Sequence, residues 1–374
     1  MKYSIIVPVY NRPDEVDELL QSLTLQTYKD MEVIIVEDGS SLPCEEVVRR
    51  YAGKLPLRYY MKENSGPGQT RNYGAEHSQG EWLIFLDSDC VLPPGYLQAV
   101  EDELSDNVLP IKGELEGVSA WGGPDKAHDS FTPVQKAISY SMTSFLTTGG
   151  IRGGKKQMDK KFYPRSFNLG IRRSLFRQLG GFSSMRFGED IDLSIRIYES
   201  GANCRLFPEA WVWHKRRTDF RKFFKQVHNS GIARINLMKR HPGSLKFVHL
   251  LPMLFTVGTF ACLLFALLFL LLALLGFVAL LRIPPYTCVN GPMFCIIGGV
   301  FGMLLFLLPL LLFSLLVFMD SSIRNKSLKI GFLSIWASFI QLIGYGTGFI
   351  RAWWLRCVCG KNEELQAFKN NFYN

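Results

Sequence analysis

The sequence predicts an α/β fold with a mostly parallel sheet, followed by C-terminal transmembrane helices, and three observations carry that expectation. Apolar runs of strand length alternate with helical patterns as far as Cys90, the pattern of βαβ units. Polar punctuation at Asn11, Asp38 and Asp87/Asp89 follows the ends of these runs, so it gathers on one edge of the sheet, where open α/β sheets take their ligands. Toward the C-terminus, Val248 to Leu281 and Pro292 to Met319 contain no Asp, Glu, Lys or Arg, and each exceeds the roughly 20 residues that cross a bilayer core.

Tyr3–Val9 reads as the first strand. Asn11 and Pro13 then supply the cap and first turn of a helix whose Val16, Leu19, Leu20 and Leu23 share one face. Met31–Val36 is a second strand, closed by the polar turn Glu37-Asp38-Gly39-Ser40. A helix near Glu45–Tyr51, a short strand near Leu57–Met61 and a helix beginning near Gly68 lead to the strand Trp82–Leu86. Beyond Cys90 the alternation lapses. Residues 110 to 170 are glycine-rich, with Gly122-Gly123 and Gly149-Gly150 through Gly153-Gly154, and are expected to form mobile loops over a site. Phe167–Ile171 reads as a strand feeding a helix around Arg173–Leu179. After Gly188, the spacing of Ile191, Ile195 and Tyr198 marks one helix face and sets Glu189 and Asp190 in the first turn, where the helix dipole favours acids.

These patterns divide the chain into a domain over 1–240 and a membrane region over 241–374, with hydrophobic segments at about 248–281, 292–319 and 330–350. The third segment carries Gln341 and the glycines Gly344, Gly346 and Gly348, so it spans or lies re-entrant or interfacial, and its length favours a span. Arg324, Lys326 and Lys329 precede it while Arg351, Arg356 and Lys361 follow it, a split that a simple span cannot reconcile with positive-inside counting. The net charge is +9. Lys215, Arg216, Arg217, Arg221, Lys222 and Lys225 cluster ahead of the first apolar segment, where basic residues mark the cytosolic side and attract anionic headgroups of membrane lipid. No nucleic-acid motif accompanies them, so no nucleic-acid partner is expected. The apolar stretch Ile5 to Val9 is too short for a signal peptide. Eight cysteines form no C-x-x-C pair, which speaks against zinc and thioredoxin-like sites; reduced thiols are expected, with a pairing of Cys288 and Cys295 on the outer side left open.

Asp87-Ser88-Asp89 is the most informative stretch. Two acids one residue apart at the end of a buried strand are costly unless compensated, and a hard divalent cation, Mg²⁺ or Mn²⁺, held between carboxylate and substrate phosphates would compensate them. A solvated turn is the plainer reading of Asp-x-Asp taken alone.

Val7-Pro8-Val9-Tyr10-Asn11, Glu37-Asp38-Gly39-Ser40, Asn64 through Gly66, Gly68, Arg71-Asn72, Asp87-Ser88-Asp89 and Gly188-Glu189-Asp190 occur in the order and rough spacing of family 2 glycosyltransferases with the GT-A fold, a Rossmann-like sheet domain. The resemblance covers about residues 1 to 240. It implies transfer of a sugar from a nucleotide-sugar to an acceptor hydroxyl, with inversion at the anomeric carbon. By position, Asp38 resembles the acid that bonds the donor's base, and Pro8 and Tyr10 line the same pocket. Arg71 resembles the basic residue beside it. Asp87 resembles the residue at the ribose and sugar, Asp89 the metal ligand of the diphosphate, Asp190 the general base and Glu189 its neighbour in the acceptor-side loop. His214 sits where some members place a further metal or diphosphate contact, although a lone histidine is more often structural. Asn168 matches a substrate-loop position, and Gly181 and Phe182 are expected to shape the acceptor pocket. The Q-x-x-R-W motif of processive synthases is missing: Gln226-Val227-His228-Asn229-Ser230 stands in its place, which favours addition of a single sugar.

The expectation is therefore an integral membrane protein of a bacterial cytoplasmic membrane with a cytosolic catalytic domain. Its donor would be a nucleotide-sugar, a UDP-sugar first among them, and its acceptor a lipid-linked glycan or glycolipid. One rival keeps the fold and transfers directly to a polyprenyl phosphate, which needs less of a base at Asp190. Another, of a different class, is a nucleotide-sensing subunit of a transporter or flippase; the absence of Asp, Glu, Lys and Arg from the first two apolar segments argues against a substrate pathway there.

Overall fold

The computed structural model describes residues 1–106, 117–126, 128, 130–149, 162–282 and 290–365. The elements run β1 (Tyr3–Val9), α1 (Pro13–Thr24), β2 (Met31–Asp38), α2 (Glu45–Tyr51), β3 (Leu57–Lys62), α3 (Pro67–Glu76), β4 (Trp82–Leu86), β5 (Cys90–Val91) and α4 (Tyr96–Asp106). Then come β6 (Ala120–Gly122), β7 (Asp125–Lys126), α5 (Pro133–Thr143), α6 (Phe145–Thr148), β8 (Asn168–Arg172), α7 (Arg173–Gln178), α8 (Glu189–Glu199), β9 (Cys204–Leu206), β10 (Val212–His214) and α9 (Phe220–Arg240). Three long helices follow, α10 (Leu251–Leu281), α11 (Asn290–Asn325) and α12 (Leu328–Trp353).

β1 lies at the centre of a seven-stranded sheet ordered β3-β2-β1-β4-β8-β6-β9. The strands from β3 to β4 pair in parallel, as apolar runs joined by helices require, whereas β8 enters antiparallel between β4 and β6. Every residue of β2 and β4 is buried, the mark of strands covered on both faces. One face packs on α1, α2 and α4 through residues such as Val16, Leu19, Val47 and Leu97; the other packs Ala75, Phe176, Phe182 and Leu193 from α3 to α8. A second, three-stranded sheet, β5-β10-β7, stands beyond the end of β4.

Three local expectations change. Asn11 is not the cap of α1: it takes φ +53°, and its side-chain oxygen accepts from the Leu42 amide at 2.9 Å and the Ser41 hydroxyl at 3.2 Å, so it braces the neighbouring loop while Arg12 precedes the helix. The 110–170 stretch is not loop alone. It contributes β6 and β7, and α5 opens on a Thr132/Gln135 capping box. Gly150, Gly153 and Gly154 lie outside the described residues, as does Cys288. The basic cluster is also split in role. Arg216 is buried in an ion pair with Asp125, Lys215 pairs with Glu18 at 2.7 Å, and only Arg221 and Lys222 stand exposed at the start of α9. Ion pairing inside the fold, rather than headgroup attraction, accounts for Arg216, whereas the Lys215 pair lies at the surface.

The third hydrophobic segment forms one continuous helix that packs on the sheet domain. Ile330 and Ala337 of α12 share a core with Ala137, Ile138 and Met142 of α5 and with Phe223 and Val227 of α9. Farther along, Phe349 and Ala352 meet Ile232 and Ile235 of α9. Glycines make this seam close. A Cβ at Gly231 would stand 2.1 Å from the Tyr345 carbonyl oxygen, and one at Gly348 would stand 2.0 Å from that of His228.

Candidate active site

The carboxyl ends of β1, β2 and β4 open into a cleft of about 310 Å³ walled on the far side by α8, α9 and one residue of α12. Asp89 follows β4, and its backbone runs directly into β5. Because β10 pairs antiparallel with β5, with His214 opposite Cys90, the imidazole arrives beside the two acids. His214 Nε2 is 3.1 Å from Asp89 Oδ1 and 3.8 Å from Asp87 Oδ2, and its ring stacks on Phe167. Arg12 Nη1 donates to Asp89 Oδ2 at 3.0 Å. Burial raises the Asp89 carboxyl, but His214, then Arg12 and Arg217, outweigh it and hold the group well below the usual carboxylate range.

The contact between His214 and Asp89 has ion-pair distance without hydrogen-bond alignment, so Asp89 Oδ1, like His214 Nδ1, is a buried polar atom with no hydrogen-bonded partner. Such orphans are rare in folded proteins, and a bound water or ion is one way of satisfying them. Cys90 completes a group of three donors whose ligand atoms lie within 4.8 Å of one another. Its thiol, however, is pushed well up by burial and then by Asp89 and Asp87, and it donates to the Phe167 carbonyl at 3.5 Å. A soft sulfur is also out of place on a hard divalent cation, which takes oxygen ligands. One carboxylate and one imidazole remain, a set that fits Mn²⁺ better than Mg²⁺, which prefers oxygen alone.

Arg71 stands on α3 with its guanidinium buried. Nη2 donates to Asp87 Oδ1 at 2.5 Å, Nη1 donates to Glu189 Oε1 at 3.2 Å, and the cation rests over the Phe182 ring at 5.5 Å. The Glu189 carboxyl is pushed up to about 7, by burial first and by Asp190 next, with Arg71 opposing both. Asp190 stays in the cleft wall: Arg165 Nη1 donates to its Oδ2 at 3.2 Å, and its Oδ1 accepts from the Ile191 amide at 2.8 Å. Asp192, two residues further along α8, faces inward and is gripped by Arg196 at 2.8 Å and His241 at 2.9 Å, which ties α8 to the end of α9.

Pro8, Tyr10, Asp38, Arg71, Asp87, Asp89, Glu189, Asp190 and His214 all line this one cleft. Three candidates do not. Asn168 is buried behind it, its Oδ1 accepting from Tyr96 at 2.7 Å and its Nδ2 donating to the Ala210 carbonyl at 2.8 Å. Gly181 and Phe182 belong to the core: Phe182 is 2 % exposed beneath Arg71, and Gly181 turns the chain at φ +69°. Asp38 lines the cleft, yet its carboxylate already accepts from Lys62 Nζ at 2.7 Å and from the Ser65 and Gly66 amides at 2.8 and 2.9 Å. A carboxylate offers about four acceptor positions, so one is left.

The cleft also contains residues that sequence reasoning passed over. Arg12, Arg165, Arg186 and Arg234 line it, as do Gln226 of α9 and Tyr345 of α12. Tyr345 carried no signal, because it sits in an apolar segment whose role looked purely membranous. Gln226 and Arg217 were in view but assigned elsewhere.

Residues 4–180 match the sequence profile described as glycosyl transferase family 2. The N-terminal domain belongs to this family. An uncharacterised glycosyltransferase of Haemophilus influenzae is 34 % identical over 207 residues, which cover 52 % of this chain and 62 % of that protein. Poly(ribitol-phosphate) beta-N-acetylglucosaminyltransferase TarS of Staphylococcus aureus is 35 % identical over 140 residues, covering 36 % of this chain and 24 % of TarS. The chain thus spans under two thirds of the length of either family 2 relative. Among solved structures, mannosyltransferase PcManGT of Pyrobaculum calidifontis, in complex with GDP-Man and Mn²⁺, superposes with a TM-score of 0.51 at 15 % identity, covering 94 % of this chain and 87 % of that one. The fold of the family 2 domain is accordingly a GT-A-like mixed α/β sheet.

Proposed function

We propose that this protein is an inverting, metal-dependent glycosyltransferase that moves a single sugar from a nucleotide-sugar to a hydroxyl of a lipid-linked glycan or glycolipid at the cytosolic face of a membrane. One observation carries the reading: Asp89 with His214 and Asp190 with Glu189 face a single cleft from different walls, the sheet edge and α8. Inversion requires that separation, because the acceptor must attack opposite the departing diphosphate. The acceptor oxygen forms a bond to the anomeric carbon while the bond from that carbon to the diphosphate oxygen breaks. Asp190 takes the hydroxyl proton, and the nucleoside diphosphate leaves with the electron pair. Asp89 and His214 would hold the divalent cation, Mg²⁺ or Mn²⁺, which when bound supplies Lewis-acid stabilisation of the leaving charge. Family membership supports the donor class, and three long apolar helices support membrane attachment.

A second acceptor, a polyprenyl phosphate, is favoured by a separate observation. Arg165, Arg186 and Arg234 line the α8–α9 side of the cleft beside Tyr345, and among the described residues neither Arg186 nor Arg234 makes an ion pair. Cations in excess of carboxylates there suit an anionic acceptor group.

The test is a donor screen on the detergent-purified full chain, by thermal shift with and without Mn²⁺, followed by assay of donor hydrolysis and of transfer to lipid-linked alcohols and phosphates. A donor at about 100 times its Kd should stabilise the domain by roughly 2.7 kcal/mol. Binding of nucleotide with neither hydrolysis nor transfer would support the nucleotide-sensing role instead.

A further inference from the structure

We propose that α12 lies in the interfacial plane of the membrane rather than across it, so that α10 and α11 cross as a two-pass hairpin and α12 forms a lipid-facing floor beneath the cleft. The inference rests on the membrane attachment proposed above and adds how the chain is threaded.

The first observation is what α12 touches. It runs beside α9 from Val227, which meets Gly344, through Gly231 at Tyr345, to Asn236, whose Oδ1 accepts from Arg356 Nη1 at 2.8 Å. The α9 helix belongs to the sheet domain, lines the cleft with Gln226, Ser230 and Arg234, and carries Lys225, Lys239 and Arg240 as well. If α12 crossed the bilayer, α9 would be drawn in beside it. Each charged side chain at the bilayer centre costs at least about 2.5–3.5 kcal/mol on insertion scales. No Asp, Glu, Lys or Arg lies on α10, and on α11 Asp320 and Arg324 stand only at the domain-proximal end. Within the most apolar window of each helix, 39 % of α12 is covered by protein, against 17 % for α10 and 11 % for α11.

The second observation is where the hairpin leaves α12. Thr256 Oγ1 of α10 donates to the Leu342 carbonyl at 3.2 Å, and Ser321 of α11 is 2.6 Å from Ser334, so both helices cross α12 near their domain-proximal ends. The Tyr140 hydroxyl of α5 donates to Asp320 at 2.7 Å, which fixes that end of α11 to the sheet domain. Beyond the crossing, Phe260 to Leu281 and Pro292 to Leu312 run on together, packed at Phe269 and Phe306 and at Gly276 and Cys295. Each stretch is about 31–33 Å long at 1.5 Å per residue, the thickness of a hydrocarbon core.

The third observation is the exposed side of α12. Phe332 and Trp336 project from it, and Trp354 from the helical turn that continues it (Trp354–Val358), with Trp353 beside them, and large aromatic rings are the residues that settle at headgroup depth. Arg324, Lys326 and Lys329 then share one membrane side with Arg351, Arg356 and Lys361, which removes the conflict that a span creates. Tyr345 places this helix in the cleft wall, so an acceptor anchored in the adjoining leaflet meets the site along α12.

The experiment uses the full chain with a protease-cleavable epitope at each end, in sealed vesicles of phosphatidylethanolamine and phosphatidylglycerol. In any one vesicle orientation both epitopes should be cleaved together or protected together. Cleavage of one with protection of the other overturns the inference while leaving membrane attachment intact, whereas release of the protein by alkaline carbonate defeats the attachment itself. In the same vesicles, the part of tryptophan quenching lost in Trp336→Phe should be greater with lipids brominated near the headgroup than with lipids brominated near the chain end. The reverse order would place α12 in the bilayer core and overturn the proposal.

Discussion

The guanidinium of Arg71 donates to Asp87 at 2.5 Å and to Glu189 at 3.2 Å, joining the loop after β4 to the first turn of α8 across the cleft floor. Removing that cation leaves the buried Glu189 and the partly exposed Asp87 without their shared partner. Arg71→Met should cost about 3–5 kcal/mol of stability, the usual result of stripping one partner from a buried ionic group. Thermal unfolding of the purified full chain measures it, and a loss below about 1 kcal/mol would mean that the acids are relieved by water.

Glu189 gives a pH dependence of definite sign. Its carboxyl is pushed up to about 7 in the folded protein, above the ordinary value of 4.5, so the folded state holds the proton more tightly than the unfolded chain. Its contribution to stability is whole below about pH 4.5 and is lost as pH rises through 7. Glu189→Gln should therefore gain melting temperature relative to the parent between pH 5 and pH 8. A loss that grows from pH 5 to pH 8 would show instead that the ionised pair with Arg71 is needed.

Metal dependence should run through Asp89 and His214. In the parent, donor affinity measured in Mn²⁺ should fall when a chelator is added. Asp89→Ala should bind donor weakly in either condition, and His214→Ala should narrow the advantage of Mn²⁺ over Mg²⁺. Equal donor affinity with chelator and with metal in the parent protein contradicts the assignment.

Asp190→Asn separates chemistry from binding. The amide keeps the size of the side chain and can still accept from the Ile191 amide, but it cannot take a proton. Transfer to a hydroxyl acceptor should drop at least about 10²-fold while donor affinity changes by no more than a few-fold. Turnover retained on a polyprenyl phosphate, lost on a hydroxyl, would select the ionised acceptor.

The strand–helix alternation and the acidic edge were legible because they depend on local pattern: apolar runs of strand length, and acids placed where those runs end. Asp87 and Asp89 stood out for that reason, whereas Glu189 and Asp190 stood out through the helical spacing that follows Gly188 and through the family resemblance. That Asn168 and Phe182 lie outside the cleft was not legible, because position in a motif does not say which way a side chain turns; both side chains are buried, while Gly181 turns the chain beside Phe182. Arg165, Arg234 and Tyr345 were hidden for another reason. Their place in the cleft depends on long-range packing of α8, α9 and α12, and no periodicity within a single segment encodes it. The same packing is what hydropathy could not see in the third apolar segment, where a face covered by protein and a face open to lipid look alike in composition.

The glycines of the α9–α12 seam set two regimes of sequence change in one apolar region. At Gly231 and Gly348 even a methyl group would meet a backbone oxygen near 2 Å, 2.1 and 2.0 Å respectively, so those positions have no substitute that keeps the helices where they are. At Gly258 and Gly298, in helices of similar character, an added Cβ meets nothing within 4 Å. Relatives that keep this arrangement should therefore drift freely along the outward faces of α10 and α11 while the seam stays fixed, and a substitution at Gly231 or Gly348 would identify a chain whose third apolar helix is docked in some other way.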